Sequence, residues 1–510
     1  MGVIVKQSIK GALANYLGVL IGAVTTFFVV TDLLTQEEIG LTRVMVDAAM
    51  LFSSLAQLGT NASIIRFFPF FKSDDERNHG IFGWSVMIPF IGFTLFAILF
   101  FVFKEQIVDI YSQKSPLVAD YIYLFLPLTF FALYLTVFET NASVLLRITV
   151  PKVVREVVIR IFNLACYLLY GYGVISLDLF VILFCSSYGI AMLLNLFYLL
   201  TLGKISFRID WQFIDRAKLK EIILYTLFMT ATVLAGNIPL LNSLFLGAKT
   251  GLALTGVYTI AFYIANIVEV PYRSLGAISA PMISQAVRDG NWSEVNRLGR
   301  QVSLHQFLVS SLLFYFIWIN LPALFAVIPH GEDYDAGIGV VLFLGLAKIV
   351  NSSLSIGTHV LNFSKKYPMA LVFIGVLTLS AIVFNNWLIA LWNINGAACA
   401  TLFSYGIYFL LLLSYLRIRL KVSILSKKQL TVVLLMAGLF ALNQLWEWLI
   451  EPQTLQLGGG GIYAVLADAA ARTLVMMAMT ILFLRRVYIS DGIDELLKKV
   501  HLLKGDRKHR

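Results

Sequence analysis

The chain has 510 residues, of which 59% are hydrophobic and 13% charged, with mean hydropathy +0.83 and a formal net charge of +10. Soluble proteins carry about 25% charged residues, so this composition excludes a water-solvated globular chain and requires helices whose outer faces meet lipid. In such a chain excess Lys and Arg mark cytoplasmic loops, and the positive charge is not read as nucleic-acid binding.

A span needs about 20 mostly apolar residues. That ruler predicts an all-α polytopic membrane protein of about fourteen helices. They fall near 11–31, 39–60, 81–103, 118–139, 156–174, 177–201, 221–243, 252–275, 303–328, 337–357, 368–389, 394–416, 429–450 and 464–487. The first lacks a small-residue cleavage site behind a short apolar core and reads as a retained helix, not a signal peptide. GYGVISLD leaves only a tight turn between the fifth and sixth.

Loop charge tests that count. With the N-terminus inside, 33 of the 39 Lys and Arg fall on cytoplasmic segments. The opposite loops hold only Lys104, Lys114 and Lys249. A missed or extra helix would invert the bias downstream, and none is inverted. Both termini are therefore expected in the cytoplasm, the last 23 residues, 488–510, forming a basic tail. The outer loops are short and mostly acidic, and no connector is long enough for a soluble domain.

A weak internal repeat links the second and eighth helices. Gly40 and Gly256 begin them and Gly59 and Gly276 end them, with Gly40 and Gly256 offset by 216 residues, or six helices. An even number of helices per repeat gives parallel repeats related by an axis along the membrane normal. The expected division is 1–205 (helices one to six), 206–420 (seven to twelve), 421–487 (two further helices) and the tail. This amounts to two six-helix lobes related by pseudo-twofold symmetry.

Ionisable groups inside spans are costly and mark functional candidates. Arg43 and Asp47 share one face of the second helix. Glu269 and Arg273 have the same spacing in the eighth, as do Asp468 and Arg472 in the fourteenth. Glu139 ends the fourth helix, and Arg66 follows the second. Each pair reads either as a self-neutralised packing contact or as part of a polar cavity. Lys348, midway along the tenth helix, has no carboxylate three or four positions away. It needs a partner from another helix or a water-filled cavity. Cations in such a cavity suit a phosphate or diphosphate cargo, and a carboxylate beside a cation could also carry H+ or Na+.

No Walker A motif, HExxH or GxSxG is present, so neither ATP hydrolysis nor a hydrolase site is indicated. Cys166, Cys185 and Cys399 lie in apolar stretches and read as small buried hydrophobes. No metal or other cofactor is expected.

The opening KQSIKGALANYLGVLIG, the stretch TQEEIGLTRVMVDAAMLFSSLAQLGTNASIIRFFP and Pro-Lys-Val-Val-Arg at 151–155 resemble the polysaccharide exporters. These are Wzx-type flippases of the multidrug/oligosaccharidyl-lipid/polysaccharide (MOP) superfamily. The resemblance implies two six-helix bundles working by alternating access. It implies a cargo of oligosaccharide on undecaprenyl diphosphate, an O-antigen, capsule or exopolysaccharide repeat unit. That cargo would pass from the cytoplasmic to the periplasmic leaflet of a bacterial inner membrane. It also implies membrane lipids, a glycan polymerase and glycosyltransferases as partners. Arg43 and Lys348 would fill the cationic role, and a groove by the last two helices would take the lipid tail. The competing readings are a cation-coupled drug exporter of the same superfamily and a membrane glycan polymerase. The absence of a large outer loop weighs against the polymerase.

Overall fold

The computed structural model describes residues 17–73, 78–202, 206–210, 213–236, 238–450 and 461–487. The side chains of 231–239, Arg273, Ser274, Ala277 and Ile278 fall outside the description. So do the basic tail and the first 16 residues. Every regular element among the described residues is helical, and a helix satisfies its backbone groups internally where no water can.

The spans are α1 (Leu17–Leu33), α2 (Gln36–Ala56), α3 (Ile81–Val102), α4 (Phe125–Val144), α5 (149–171) and α6 (Leu177–Thr201). Next come α7 (Arg216–Gly236 and Ile238–Lys249), α8 (252–288), α9 (Trp292–Ile319) and α10 (Ile338–Phe363). The last four are α11 (368–391), α12 (394–419), α13 (Lys428–Leu449) and α14 (Ile462–Arg486). Among the described residues ten helical runs are long and apolar enough to cross a membrane, and one of them, Pro368–Arg419, contains both α11 and α12. The chain breaks within that run at Trp392 and Asn393, where Asn393 takes φ 48° and ψ −126°. With the interrupted α1, α5 and α7, the architecture is the expected fourteen-helix one.

Local sequence explains the ends. Thr35 and Glu38 form a capping box at the start of α2, satisfying two otherwise orphaned N–H groups. Gly59, at φ 68°, ends that helical stretch before a short helix, Thr60–Phe71. Gly173 at φ 71° and the Ser176 cap make the tight turn into α6. Apolar length is not helix length, and here the two differ. The fourth span starts later than 118, behind two short turns at Pro116–Asp120 and Ile122–Leu124. α8 runs on to Arg288, and α9 already begins at Trp292. Pro322 opens a separate short helix, Leu321–Val327, after Asn320 ends α9.

The chain forms two compact units. One comprises the residues up to Ile260 with Thr378–Ala397, and the other comprises Ala261–Leu377 with the chain from Ala398. The first holds a reciprocal helix crossing. A Cβ on Gly40 would meet the backbone carbonyl of Leu252, and a Cβ on Gly256 would meet that of Gln36. Residues 36 and 40 plus 216 give 252 and 256, so the contact maps onto itself under the repeat offset. Such an isologous contact is the mark of a twofold relation, and only glycine lets the backbones approach so closely. The other glycines of the repeat do not correspond. Gly59 packs on Thr226, whereas Gly276 lies within α8 and faces open space. In the second unit Leu308 and Tyr315 of α9 pack against Leu435 and Leu439 of α13 and Met476 of α14.

Candidate functional site

In the first unit, α2 places Arg43 and Asp47 one turn apart, both buried. Arg43 Nε donates to Asp47 Oδ2 at 2.5 Å, and Ser243 Oγ of α7 donates to the same oxygen at 2.6 Å. Beside them Asn242 Nδ2 donates to the Tyr258 hydroxyl at 2.7 Å, and Asn385 Nδ2 donates to Asn242 Oδ1 at 3.0 Å. Buried charges persist only when paired and hydrogen-bonded, and this network ties α2, α7, α8 and α11 together.

In the second unit, Lys348 finds its partner on another helix. Its Nζ donates to Glu269 Oε1 at 2.8 Å, with the two residues only 4% and 5% exposed. The ammonium also sits 5.5 Å from the centre of the Phe262 ring, a cation–π contact. Asn351 Nδ2 donates to the Tyr272 hydroxyl at 3.4 Å one turn further along. Glu269 is therefore engaged by α10, and Arg273, four positions on, lies outside the described side chains.

Asp468 and Arg472 are also buried. Arg472 stands 3.8 Å from Asp468 and 3.6 Å from Glu447 of α13. Trp446 Nε1 donates to Asp468 Oδ1 at 3.0 Å. These contacts join α13 to α14. Arg66, half exposed, lies over the Tyr225 ring at 4.2 Å and 3.8 Å from Glu221. Among the described residues Arg43, Lys348 and Arg472 each have a carboxylate beside them, so these three buried cations are charge-compensated.

Glu139 belongs to a different setting. Arg155, in the wide π-type turn Val154–Val158 at the start of α5, donates to Glu139 Oε2 at 2.6 Å. Both border a polar pocket of about 350 Å³ in the first unit, walled by α2, Asn61 and α4. The second unit carries an open apolar groove of about 560 Å³. Ala323, Leu324 and Val327 form one wall, and Ala469, Ala470 and Leu474 of α14 form the other.

Sequence reasoning did not single out Ser243, Glu447, Gln57, Asn61 or Arg155 as site residues. Four are neutral or read as loop charges, and Glu447 reads as part of an acidic outer loop. Only the fold shows what they face.

Residues 4–287 match the family described as "Polysaccharide biosynthesis protein". No curated protein matches the chain in sequence. The fold is similar to that of the lipid II flippase MurJ in its inward closed conformation. Identity is 11% and the TM-score 0.67, over 92% of this chain and 98% of that one. It is also similar to an inward-facing multidrug resistance MATE family transporter of the MOP superfamily, at 14% identity and TM-score 0.58 over 79% and 94%. A third likeness is to a MOP superfamily transporter from Pyrococcus furiosus, at 15% identity and TM-score 0.51 over 80% and 94%. At these identities the likeness is one of fold.

Proposed function

The chain belongs to the polysaccharide biosynthesis protein family, a MOP-type family of exporters, and from that premise we propose that it flips lipid-linked oligosaccharide. The cargo we favour is an O-antigen, capsule or exopolysaccharide repeat unit on undecaprenyl diphosphate, moved from the cytoplasmic to the periplasmic leaflet of a bacterial inner membrane. The observation that carries this reading is the open groove along α14, lined by Ala, Leu and Val with Asn320 and Thr473 hydrogen-bonded to each other at its edge. A polyprenyl tail must stay in an apolar medium while its glycan crosses, and burying each of its CH₂ groups yields about 0.8 kcal/mol. A drug exporter has no tail to house.

On this reading the lobes are 1–205 and 206–420, the tail lies in the groove between α14 and the short helix Leu321–Val327 rather than between the last two helices, and both termini are cytoplasmic. Lipid-linked glycan is the partner, with membrane lipids around it and a glycan polymerase and glycosyltransferases acting on the same material. Arg43, Asp47, Lys348, Glu269, Arg273 and Glu139 are the groups proposed to meet cargo or a coupling ion. A gradient of H+ or Na+ is the proposed driving force.

Reconstitution tests the reading. Proteoliposomes holding undecaprenyl diphosphate with a fluorescent oligosaccharide should expose the glycan to an external quencher faster than empty vesicles, under an H+ or Na+ gradient. Vesicles that move ethidium but not the glycolipid would assign the chain to drug export instead.

A further inference from the structure

The pocket between α2 and α4 is rich in hydrogen-bond acceptors, with the Gln57 amide nitrogen and the Arg155 guanidinium as its donors. Ser53 and Ser54 donate their hydroxyl protons to the Met50 and Leu51 carbonyls of their own helix, at 3.0 and 2.7 Å. Thr136 and Thr140 do the same toward Leu133 and Thr136, at 2.7 and 2.9 Å. A hydroxyl has one proton and two lone pairs, so what each offers the pocket is an acceptor. The Asn61 amide donates to Gln57 Oε1 at 2.6 Å, which leaves its own oxygen as its contribution. Asn61 Oδ1 and Glu139 Oε1 are both buried without a partner. Buried acceptors left unmet are costly, and two beside one cavity point to a ligand rich in donors.

Charge narrows the choice. The Glu139 carboxylate already has the Arg155 guanidinium at 2.6 Å, so the site is close to neutral. A bare cation would bring charge that nothing remains to balance. A sugar ring brings several O–H donors and no net charge. The ring oxygens and hydroxyls can also accept from Arg155, which keeps about a third of its side chain exposed. The volume, about 350 Å³, sits at the low end of small-molecule pockets, about 300–1,000 Å³, and fits a single sugar ring rather than a repeat unit.

We propose that this pocket is a sugar-reading subsite, in which Asn61 and Glu139 accept from the hydroxyls of one sugar of the cargo and so set which glycan is carried. The proposal rests on the glycolipid reading above and names the part of the cargo this pocket would recognise.

Binding to purified protein in nanodiscs tests it, with four probes. These are bare undecaprenyl diphosphate and the same lipid bearing one glucose, galactose or N-acetylglucosamine. Wild type should prefer at least one sugar-lipid over the bare lipid by about tenfold, the scale of one or two well-made hydrogen bonds. Asn61→Leu, which keeps the Glu139–Arg155 pair, should erase that preference while still binding bare lipid. No preference in wild type, or an equal loss for all four lipids in Asn61→Leu, overturns the proposal. If wild type binds none of the lipids, the glycolipid reading itself fails. Repeating the measurement with Na+ replaced by choline separates the last case. If Glu139→Gln abolishes a sodium dependence but spares the sugar preference, the pocket belongs to a cation and the proposal falls.

Discussion

Gly40→Ala strikes the crossing of α2 and α8 where two backbones touch. The new Cβ would lie 2.8 Å from the carbonyl carbon of Leu252 and closer still to its oxygen, whereas ordinary contact begins at 3.4 Å. The helices must part by at least 0.6 Å, the difference of those two distances. Neither side can yield by turning a rotamer, because both partners are backbone. Overpacking of this kind costs about 1–3 kcal/mol. Gly256→Ala meets Gln36 in the same way, with its carbonyl carbon at 2.9 Å. Because the two contacts are images of each other, the separation forced by the first substitution makes room for the second. The double variant should therefore lose clearly less stability than the sum of the single variants, a coupling that only sites in contact show. Gly276→Ala is the control. Its Cβ would meet nothing within 4 Å inside a helix, and losing a helical glycine favours the fold by about 0.5–1 kcal/mol. Thermal unfolding in detergent, followed by retention of a monodisperse peak, reads all four proteins. Additive losses at positions 40 and 256, or a loss at 276 as large as at 40, would refute the reciprocal crossing.

Three further outcomes follow from the ion pairs and the cysteines. Lys348→Ala should destabilise the protein by about 3–5 kcal/mol, because it strands the Glu269 carboxylate in a buried site. Lys348→Met with Glu269→Leu should recover most of that stability, and glycolipid flipping that recovers along with it would show the pair to be packing alone. Ser243→Ala removes one of two bonds to Asp47 and should cost about 0.5–1.5 kcal/mol, well below Arg43→Ala, measured by the same unfolding assay. The native cysteines are buried, so cysteines introduced at Ser206 and Thr250 can be read against a quiet background. A membrane-impermeant maleimide should label them from opposite sides in intact cells and inverted vesicles. Same-side labelling breaks the topology.

The fourteen helices were legible because lipid selects for length and apolarity, and both are written in every span. Helix ends were less so. α8 continues to Arg288 and α9 starts at Trp292, since hydrogen bonding goes on where hydropathy has faded. The partner of Lys348 could not be read off. Glu269 lies 79 residues away on another helix, and spacing rules reach only one turn. Gly40 and Gly256 were found through the repeat, yet their mutual contact appears only in space. Asn61 shows the limit most clearly. Nothing in its sequence neighbourhood marks it, and its place at the pocket is set by the turn at Gly59 that starts the next helix.

The break at Trp392 and Asn393 bears on how the chain enters the bilayer. A straight helix of 52 residues would run about 78 Å at 1.5 Å per residue, far beyond the roughly 30 Å of hydrocarbon. The chain must therefore double back within two residues. With no loop between them, α11 and α12 have no separate translocation step, and the pair partitions into lipid as one hairpin. An epitope inserted between Asn393 and Ile394 would uncouple that joint entry, so tagging there should halt membrane integration.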